Sequence, residues 1–400
     1  MPDRADLARA ALDAASADEQ VEAYAEEGRR TEVSALRGEV EGMTFAESRG
    51  VGVRVIRDDR LGYAWAAGPT PEEVRDAVRR ARENAALAEP DPANGLPEPE
   101  PFEPIPELFR EESANVTADD KVRMALDLEA YAISRDPRVT KIDVAQVGDS
   151  VASVHIASTA GVDAGFSRTD AWGVVVTLAT EGDETQTGFS YRITRGLDEL
   201  DTHPLADEAV ARGARMLGAT KPATARVPVI LDQFAAMSFL GVLSSTLNAE
   251  NVLKGRSLFA DRVGDAIGSE PFTLVDDGRI LDGPGASPFD DEGVPSGRTE
   301  LFRGGVLRGF LHDTYTARRA GGGQRSTGNA RRGYRSAPGV GTSNFYVEAG
   351  GSSLADLLAR AEGGVLIQDV SGVHSGANPI SGEFSVGATG LRVAGGALGE

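Results

Sequence analysis

Four histidines, one acidic triplet and one arginine- and glycine-rich segment are the places where this 400-residue sequence could do chemistry. The histidines are His155, His203, His312 and His374, and no two lie within one helical turn, which excludes a zinc pair on a single helix face. The chain has no cysteine, so thiolate nucleophiles, sulfur-ligated zinc and disulfides are excluded as well. A catalytic zinc takes about three protein donors and keeps one open position, and distant loops could still gather them. Taken singly, each histidine reads as a surface or hydrogen-bonded structural residue. His374 is set apart by its turn-rich surroundings, Ser371-Gly372-Val373-His374-Ser375-Gly376-Ala377-Asn378-Pro379. A Ser375 nucleophile served by His374 would require two adjacent side chains, which normally diverge, to converge.

The acidic triplet Asp290-Asp291-Glu292 follows Gly283-Pro284-Gly285-Ala286-Ser287-Pro288-Phe289. Neighbouring carboxylates can hold a hard cation or split their pKa values. The same residues also suit a solvated turn whose acids accept backbone hydrogen bonds. Arg318 to Gly341 contains six arginines, seven glycines and no acid, in a chain of net charge −21. Such a segment can offer guanidinium forks and backbone N–H groups to a carboxylate, or it can be a solvated loop. No Gly-Lys pair, helix-opening Gly-x-Gly-x-x-Gly or Gly-x-Ser-x-Gly is present, so the usual marks of nucleotide binding and α/β-hydrolase chemistry are missing.

The elements that must carry these residues give an α+β fold. An amphipathic stretch from Asp3 to Ala15 precedes short alternating runs from Val21 to Ala67, which read as an antiparallel meander. Thr70-Pro71-Glu72-Glu73 starts a helix reaching Leu87. Seven prolines between Glu89 and Pro106 favour extended chain and mark the clearest boundary. Thr117-Ala118-Asp119-Asp120 opens a second helix toward Ser134. Strands are expected at Val139–Val147, Val151–Ser158, Ala171–Thr180 and Gln186–Ile193, with a helix over Pro204–Leu217. Beyond Lys221-Pro222, a strand at Val227–Leu231, a helix over Gln233–Ala249 and a hairpin joining Thr299–Phe302 to Val306–Leu311 introduce a glycine-rich, mostly antiparallel β region with embedded helices. The expected units are an amino-terminal domain (1–90), a Pro/Glu-rich linker (91–116), a central α+β domain (117–222) and a carboxy-terminal β-rich domain (223–400).

Sixty-two acids against 41 bases repel phosphate backbones and anionic lipid surfaces, so neither nucleic acid nor membrane is an expected partner. The first fifteen residues lack the basic head and apolar run of a signal peptide, and no window reaches the ~18–20 apolar residues of a spanning helix. The expected compartment is the cytoplasm.

Several of these stretches together resemble the TldD/TldE (PmbA) family. They are Gly50-Val51-Gly52-Val53-Arg54-Val55, Pro288-Phe289-Asp290-Asp291-Glu292-Gly293, Gly304-Gly305-Val306-Leu307, Tyr315-Thr316-Ala317-Arg318, Ser326-Thr327-Gly328-Asn329 and Ser381-Gly382-Glu383-Phe384-Ser385-Val386-Gly387-Ala388. Each is weak alone; their order and spacing are specific together. Chains of that family usually carry further strands past the position where this one stops, Leu398-Gly399-Glu400.

The resemblance implies a metallopeptidase-like fold and a division of labour. In the TldD branch a helix carries His-Glu-x-x-x-His, which binds zinc together with a later cysteine. The corresponding stretch here, Val229-Ile230-Leu231-Asp232-Gln233-Phe234-Ala235-Ala236-Met237-Ser238-Phe239, offers neither histidine nor glutamate, and Asp232, Gln233, Phe234, Met237 and Ser238 stand in the degenerate motif. The chain is thus similar to the TldE/PmbA branch, whose members pair with a TldD-like zinc peptidase in a heterodimer enclosing one peptide-cleaving chamber. No cofactor is expected in this chain, and zinc is expected in the partner. The implied role is trimming of unfolded or modified peptides by the pair, with Arg325, Ser326, Thr327, Asn329, Arg331 and Arg332 helping to line the chamber or the subunit contact. The family's gyrase-modulator label need not mean contact with DNA. Two alternatives stand beside it: a hydrolase in its own right using His374, Ser375, Asp290, Asp291 and Glu292, and a homodimeric peptide-binding scaffold.

Overall fold

The alternating runs of the amino-terminal third become β1 (Gln20–Leu36), β2 (Glu39–Arg57) and β3 (Arg60–Ala67) in a computed structural model that describes residues 3–399. Met1, Pro2 and Glu400, the ends of the first and last stretches read above, lie outside the described residues. Helix α1 (Arg4–Leu12) starts at Asp3, whose side chain accepts the Arg4 N–H, and α2 (Pro71–Leu87) starts with a full capping box between Thr70 and Glu73. Both bury alanines, leucine and valine against one face of the β1–β3 meander.

After the short α3 (Glu111–Ala114), α4 (Ala118–Arg135) repeats the device with Thr117 and Asp120. The next strands are β4 (Val139–Ser158), β5 (Asp163–Glu181) and β6 (Glu184–Thr194), followed by α5 (Thr202–Ala214) under the Asp201 cap. Two expectations change here. Val139–Val147 and Val151–Ser158 are one strand, because β4 is paired on both sides, by β1 and by β5, straight through Gly148 and Asp149. The helix expected from Pro204 begins at Thr202 and ends at Ala214.

The strand order is β3-β2-β1-β4-β5-β6, antiparallel throughout, so one continuous sheet joins the strands of the first 67 residues to those of the middle third. Helices α4 and α5 cover its second half around Leu128, Val147, Val175 and Leu205.

The carboxy-terminal part is assembled from β7 (Val229–Leu231), α6 (Gln233–Thr246), α7 (Ala249–Leu253), β8 (Leu274–Asp277), β9 (Arg298–Arg303), β10 (Val306–Leu307), α8 (Thr314–Ala320), β11 (Ala330–Arg331), β12 (Gly339–Val340), β13 (Phe345–Val347), β14 (Val365–Ser371), β15 (Ala377–Asn378), β16 (Glu383–Phe384), β17 (Gly387–Ala394) and β18 (Ala397–Leu398). Two four-stranded sheets result, β10-β9-β8-β13 and β18-β17-β14-β7, the second holding one parallel pair, β7 with β14. The helix expected over Gln233–Ala249 breaks at Leu247, where the Asn248 side chain caps α7. The return arm of the hairpin is shorter than expected, its ladder ending at Leu307.

The proline-rich segment is extended, and it is held along the molecule rather than spanning solvent. Tyr315 and Arg319 grip Asp91 (3.0 and 2.9 Å), Arg318 donates to the Leu96 carbonyl (2.9 Å), and Phe102 meets Phe289 edge to face. Among the described residues no helix is long and apolar enough to cross a membrane.

Candidate functional site

Helix α6 occupies the position that the resemblance assigns to a zinc helix. Its cap, Asp232, accepts the Phe234 and Ala235 N–H groups (3.0 and 3.2 Å) and forms an ion pair with Arg212 (2.5 Å), whose guanidinium also lies 4.5 Å from the Phe234 ring centre. Gln233 donates to Glu208 (2.6 Å), and Ser238 donates back to the Phe234 carbonyl (3.3 Å). Met237 accepts a hydrogen bond from Tyr191 through sulfur (3.3 Å). This donor set does not fit a zinc centre: it holds one carboxylate, already committed to a cap and an arginine, and no imidazole or thiolate. Among the described residues no group of three or more His, Cys, Asp or Glu side chains is placed to hold a metal ion.

Helix α6 has another property. It contains no charged residue, yet only Ala235 and Thr246 are fully buried. Met237 and Phe239 are exposed, as are Val229 and Leu231 on β7 and Ile380 in the β15–β16 turn. Phe239 meets Phe384 edge to face (5.4 Å), which makes helix and turn one apolar surface. Depletion of charge with exposed aromatic and aliphatic side chains is the composition found at the cores of protein interfaces.

The acidic triplet is a buried seam between the six-stranded sheet and the carboxy-terminal part. Asp290 accepts the backbone N–H groups of Glu292, Val294 and Ala330 (2.9, 3.0 and 2.9 Å), and Asp291 accepts that of Arg332 (2.8 Å). Glu292 pairs with Arg54 of β2 (2.7 Å) and accepts the Thr314 N–H (2.9 Å). Arg54 in turn holds Glu22 of β1 through two nitrogens (3.0 and 2.6 Å), and Arg332 reaches Glu22 from the other side while lying over Tyr24. Asp290, Glu292, Arg54 and Glu22 are all buried, so the solvated turn considered for the triplet is corrected to a desolvated one. The acids do accept backbone hydrogen bonds, as that reading supposed. Glycine is required at positions 50 and 52 because a Cβ at 50 would strike the Tyr334 ring and one at 52 the Tyr63 hydroxyl and the Tyr334 carbonyl; Tyr63 donates to that carbonyl (2.8 Å).

Sequence reasoning missed Glu22 and Arg54. The available signal was an arginine inside the apolar run Val53-Arg54-Val55, where only a buried partner of opposite charge makes it tolerable.

The six residues of the arginine- and glycine-rich segment divide. Ser326 and Thr327 donate to the His312 carbonyl (3.2 and 3.1 Å), and buried Asn329 donates to Asp276 (2.7 Å) and the Gly341 carbonyl (3.0 Å). Arg332 is buried in the seam, and Arg331 is half-buried, donating to the Thr342 carbonyl (3.2 Å). Arg325 alone of the six is exposed at its guanidinium, paired with Glu100 (2.5 Å). A buried guanidinium cannot line a chamber, so Arg332 acts on the shape of this segment from inside.

The histidines remain apart. His155 pairs with Asp163 and His203 with Asp127 (2.7 and 2.9 Å), while buried His312 is held below its ordinary pKa by desolvation. His374 and Ser375 are exposed in a single helical turn, where Ser375 donates to the Gly372 carbonyl (3.2 Å). No hydrogen bond or ion pair among the described residues links them to Asp290, Asp291 or Glu292, whose oxygens are engaged as above.

The seam carries opposing proton linkages. Burial alone would raise the Glu22 pKa, but Arg332 and Arg54 overcome it and hold the group below the ordinary glutamate range. Burial raises Asp290, Asp291 and Asp313, with Glu292 adding to the rise at Asp290 and Asp313. A raised carboxyl contributes stability that is complete below its unfolded pKa of about 4 and lost as pH rises through its folded value; Glu22 contributes above about 4.3 and its share is lost below. The seam is therefore expected to add stability on acidification from pH 8 and to give part of it back below about pH 4, as Glu22 takes up a proton, in a pH series of thermal unfolding midpoints. A profile rising steadily toward alkaline pH would contradict these assignments.

Three regions of the chain match the family described as PmbA/TldA metallopeptidase: residues 21–85 its domain 1, 111–217 its central domain and 224–400 its carboxy-terminal domain. The metalloprotease PmbA of Escherichia coli O157:H7 is 26% identical over 369 residues, covering 92% of this chain and 79% of that protein. A metalloprotease TldD homolog of Haemophilus influenzae is 27% identical over 337 residues, 80% of this chain and 68% of its own length. Among solved structures, TldE of Thermococcus kodakarensis superposes with a TM-score of 0.86 at 26% identity, over 98% of this chain and 88% of that one. With its three parts matched in order and its fold shared with TldE over 98% of its own length, this chain belongs to the PmbA/TldD metallopeptidase family.

Proposed function

We propose that this chain is the non-catalytic, TldE-like subunit of a two-protein zinc peptidase, in which a TldD-type partner holds the metal and the pair trims unfolded or modified peptides. The observation that carries this reading is α6. Its residues supply no set of donors able to hold zinc and lower the pKa of a bound water for attack on an amide. Its uncharged, exposed surface instead suits burial against another protein. In this reading Arg325 reaches the shared chamber, where a guanidinium fork can take a peptide carboxylate, and Arg331 helps to shape the loop beside it. Ser326, Thr327 and Asn329 hold that loop in place.

The test is reconstitution with the TldD-type protein of the same genome. Each chain is purified alone, analysed for metal, and assayed on an unfolded peptide alone and mixed. The expected result is zinc on the partner chain and hydrolysis by the mixture only. Stoichiometric zinc on this chain, with hydrolysis in isolation, would reverse the assignment.

A further inference from the structure

We propose that the linker carries an internal competitor for substrate: the Glu100 carboxylate occupies the Arg325 guanidinium, and a peptide carboxylate must displace it to be held there. The inference rests on the reading of Arg325 given above and adds the regulation of that site. Upstream, the linker is firmly anchored. The Asp91 N–H donates to the Asp59 carbonyl (2.9 Å), the Asp91 side chain is gripped by Tyr315 and Arg319, and the Leu96 N–H donates to Gln20 (3.0 Å). Downstream, Phe102 packs on Phe289, and Arg279 donates to the carbonyls of Glu103 and Pro104 (2.9 and 3.3 Å).

Between these anchors runs Pro97-Glu98-Pro99-Glu100-Pro101, exposed from Glu98 onward. Prolines at alternate positions fix φ and remove backbone donors, so the span keeps the extended shape of a bound peptide. Among the described residues, its one hydrogen bond is that between Glu100 and Arg325 (2.5 Å). The two side chains are exposed by 43% and 75%, so the pair adds little to the stability of the fold and can be exchanged. Arg325 itself stands apart from Arg318 and Arg319 of α8, beyond Gly321, Gly322 and Gly323, which take positive φ (68°, 64° and 81°). No neighbour packs where a side chain at these glycines would stand, so they serve backbone shape alone.

Charge and tethering make this contact a competition. The acid-free stretch Arg318–Gly341 draws counter-charges for Arg319 and Arg325 from the linker, in Asp91 and Glu100. Glu100 offers the guanidinium the same group that a peptide carboxylate would, and the anchors on both sides hold it nearby at an effective concentration on the order of millimolar. A lone carboxylate in dilute solution cannot match that. A peptide that also touches the chamber elsewhere can, so Glu100 sets a threshold that favours longer peptides over single amino acids and short products.

Binding of a labelled peptide to the full chain alone, read by fluorescence anisotropy at low salt, tests the proposal. The peptide has uncharged side chains, a neutral dye on its amino end and a free terminal carboxylate. Glu100→Gln is expected to tighten binding about two- to fivefold with an unchanged melting temperature. Arg325→Ala should weaken binding, and adding Glu100→Gln to it should change nothing further, because Glu100 acts through that guanidinium. The same peptide ending in an amide should not distinguish Glu100→Gln from wild type. Equal affinity of Glu100→Gln and wild type, tightening that survives the loss of Arg325, tightening of the amide peptide by the same factor, or no binding to any of these chains overturns the proposal. A lowered melting temperature in Glu100→Gln overturns it too, by making the pair a structural tie. In the reconstituted pair the effect should fall on KM rather than kcat. The binding readouts need no zinc-bearing partner, so a mixture that fails to hydrolyse peptide would remove the subunit assignment and leave them intact.

Discussion

Arg54→Ala is expected to lower the free energy of unfolding by about 3–5 kcal/mol, because it leaves Glu22 and Glu292 as buried carboxylates without their shared cation. Removing one member of a desolvated pair costs far more than the pair gains over apolar residues of similar volume, since the survivors keep the desolvation penalty and lose the attraction that offset it. The measurement is urea unfolding followed by tryptophan fluorescence in single-tryptophan variants. Trp65 lies edge to face with Tyr334 at the seam, and Trp172 lies under Arg30 on the far half of the sheet. In Arg54→Ala the Trp65 signal should move to lower urea by more than the Trp172 signal. A midpoint within about 0.5 kcal/mol of wild type, the range of an ordinary surface change, would mean that water reaches the seam.

Phe239→Asp is expected to cut peptide turnover by the reconstituted pair by about 100-fold or more while leaving the melting temperature of the isolated chain nearly unchanged. Phe239 is more than a third exposed in the chain alone, so a carboxylate there remains hydrated until a partner covers it. Met237→Asp should act in the same direction. Arg325→Ala should act weakly on stability, since its ion pair with Glu100 is exposed, and its effect should fall on turnover rather than assembly. Assembly is read by co-elution with the zinc-bearing chain; a pair that forms and turns over normally with Phe239→Asp would remove α6 from the contact.

Local signals were legible where the physics is local. Thr70-Pro71-Glu72-Glu73 and Thr117-Ala118-Asp119-Asp120 announced two helix starts, and both helices begin there, each through a capping box. The β1–β3 meander was equally plain from its alternation. The continuity of β4 was not, because Gly148-Asp149-Ser150 looks like a turn and only pairing to β1 and β5 on both sides keeps it extended. The acidic triplet was found and its surroundings misjudged. Solvation is decided by chain more than 200 residues away: Arg54 for Glu292, and Tyr24 for Asp291. The inward turn of Arg332 was hidden for the same reason, since nothing in Arg331-Arg332 says which of two adjacent guanidinium groups finds Glu22.

The distance in sequence between the two halves of the seam also governs how the molecule is made. Tyr24 and Asp291 are 267 positions apart. During translation β1 leaves the ribosome first, pairs at once with β2, and then waits for β4. Only when residues 289–334 emerge can the face bearing Tyr24 and Ile156 be covered, so a nascent chain carries that apolar surface bare through most of its synthesis. A chaperone that shields aromatic and aliphatic side chains has its longest opportunity there, and a ribosome stalled before codon 290 releases a polypeptide with its sheet formed and one side undressed.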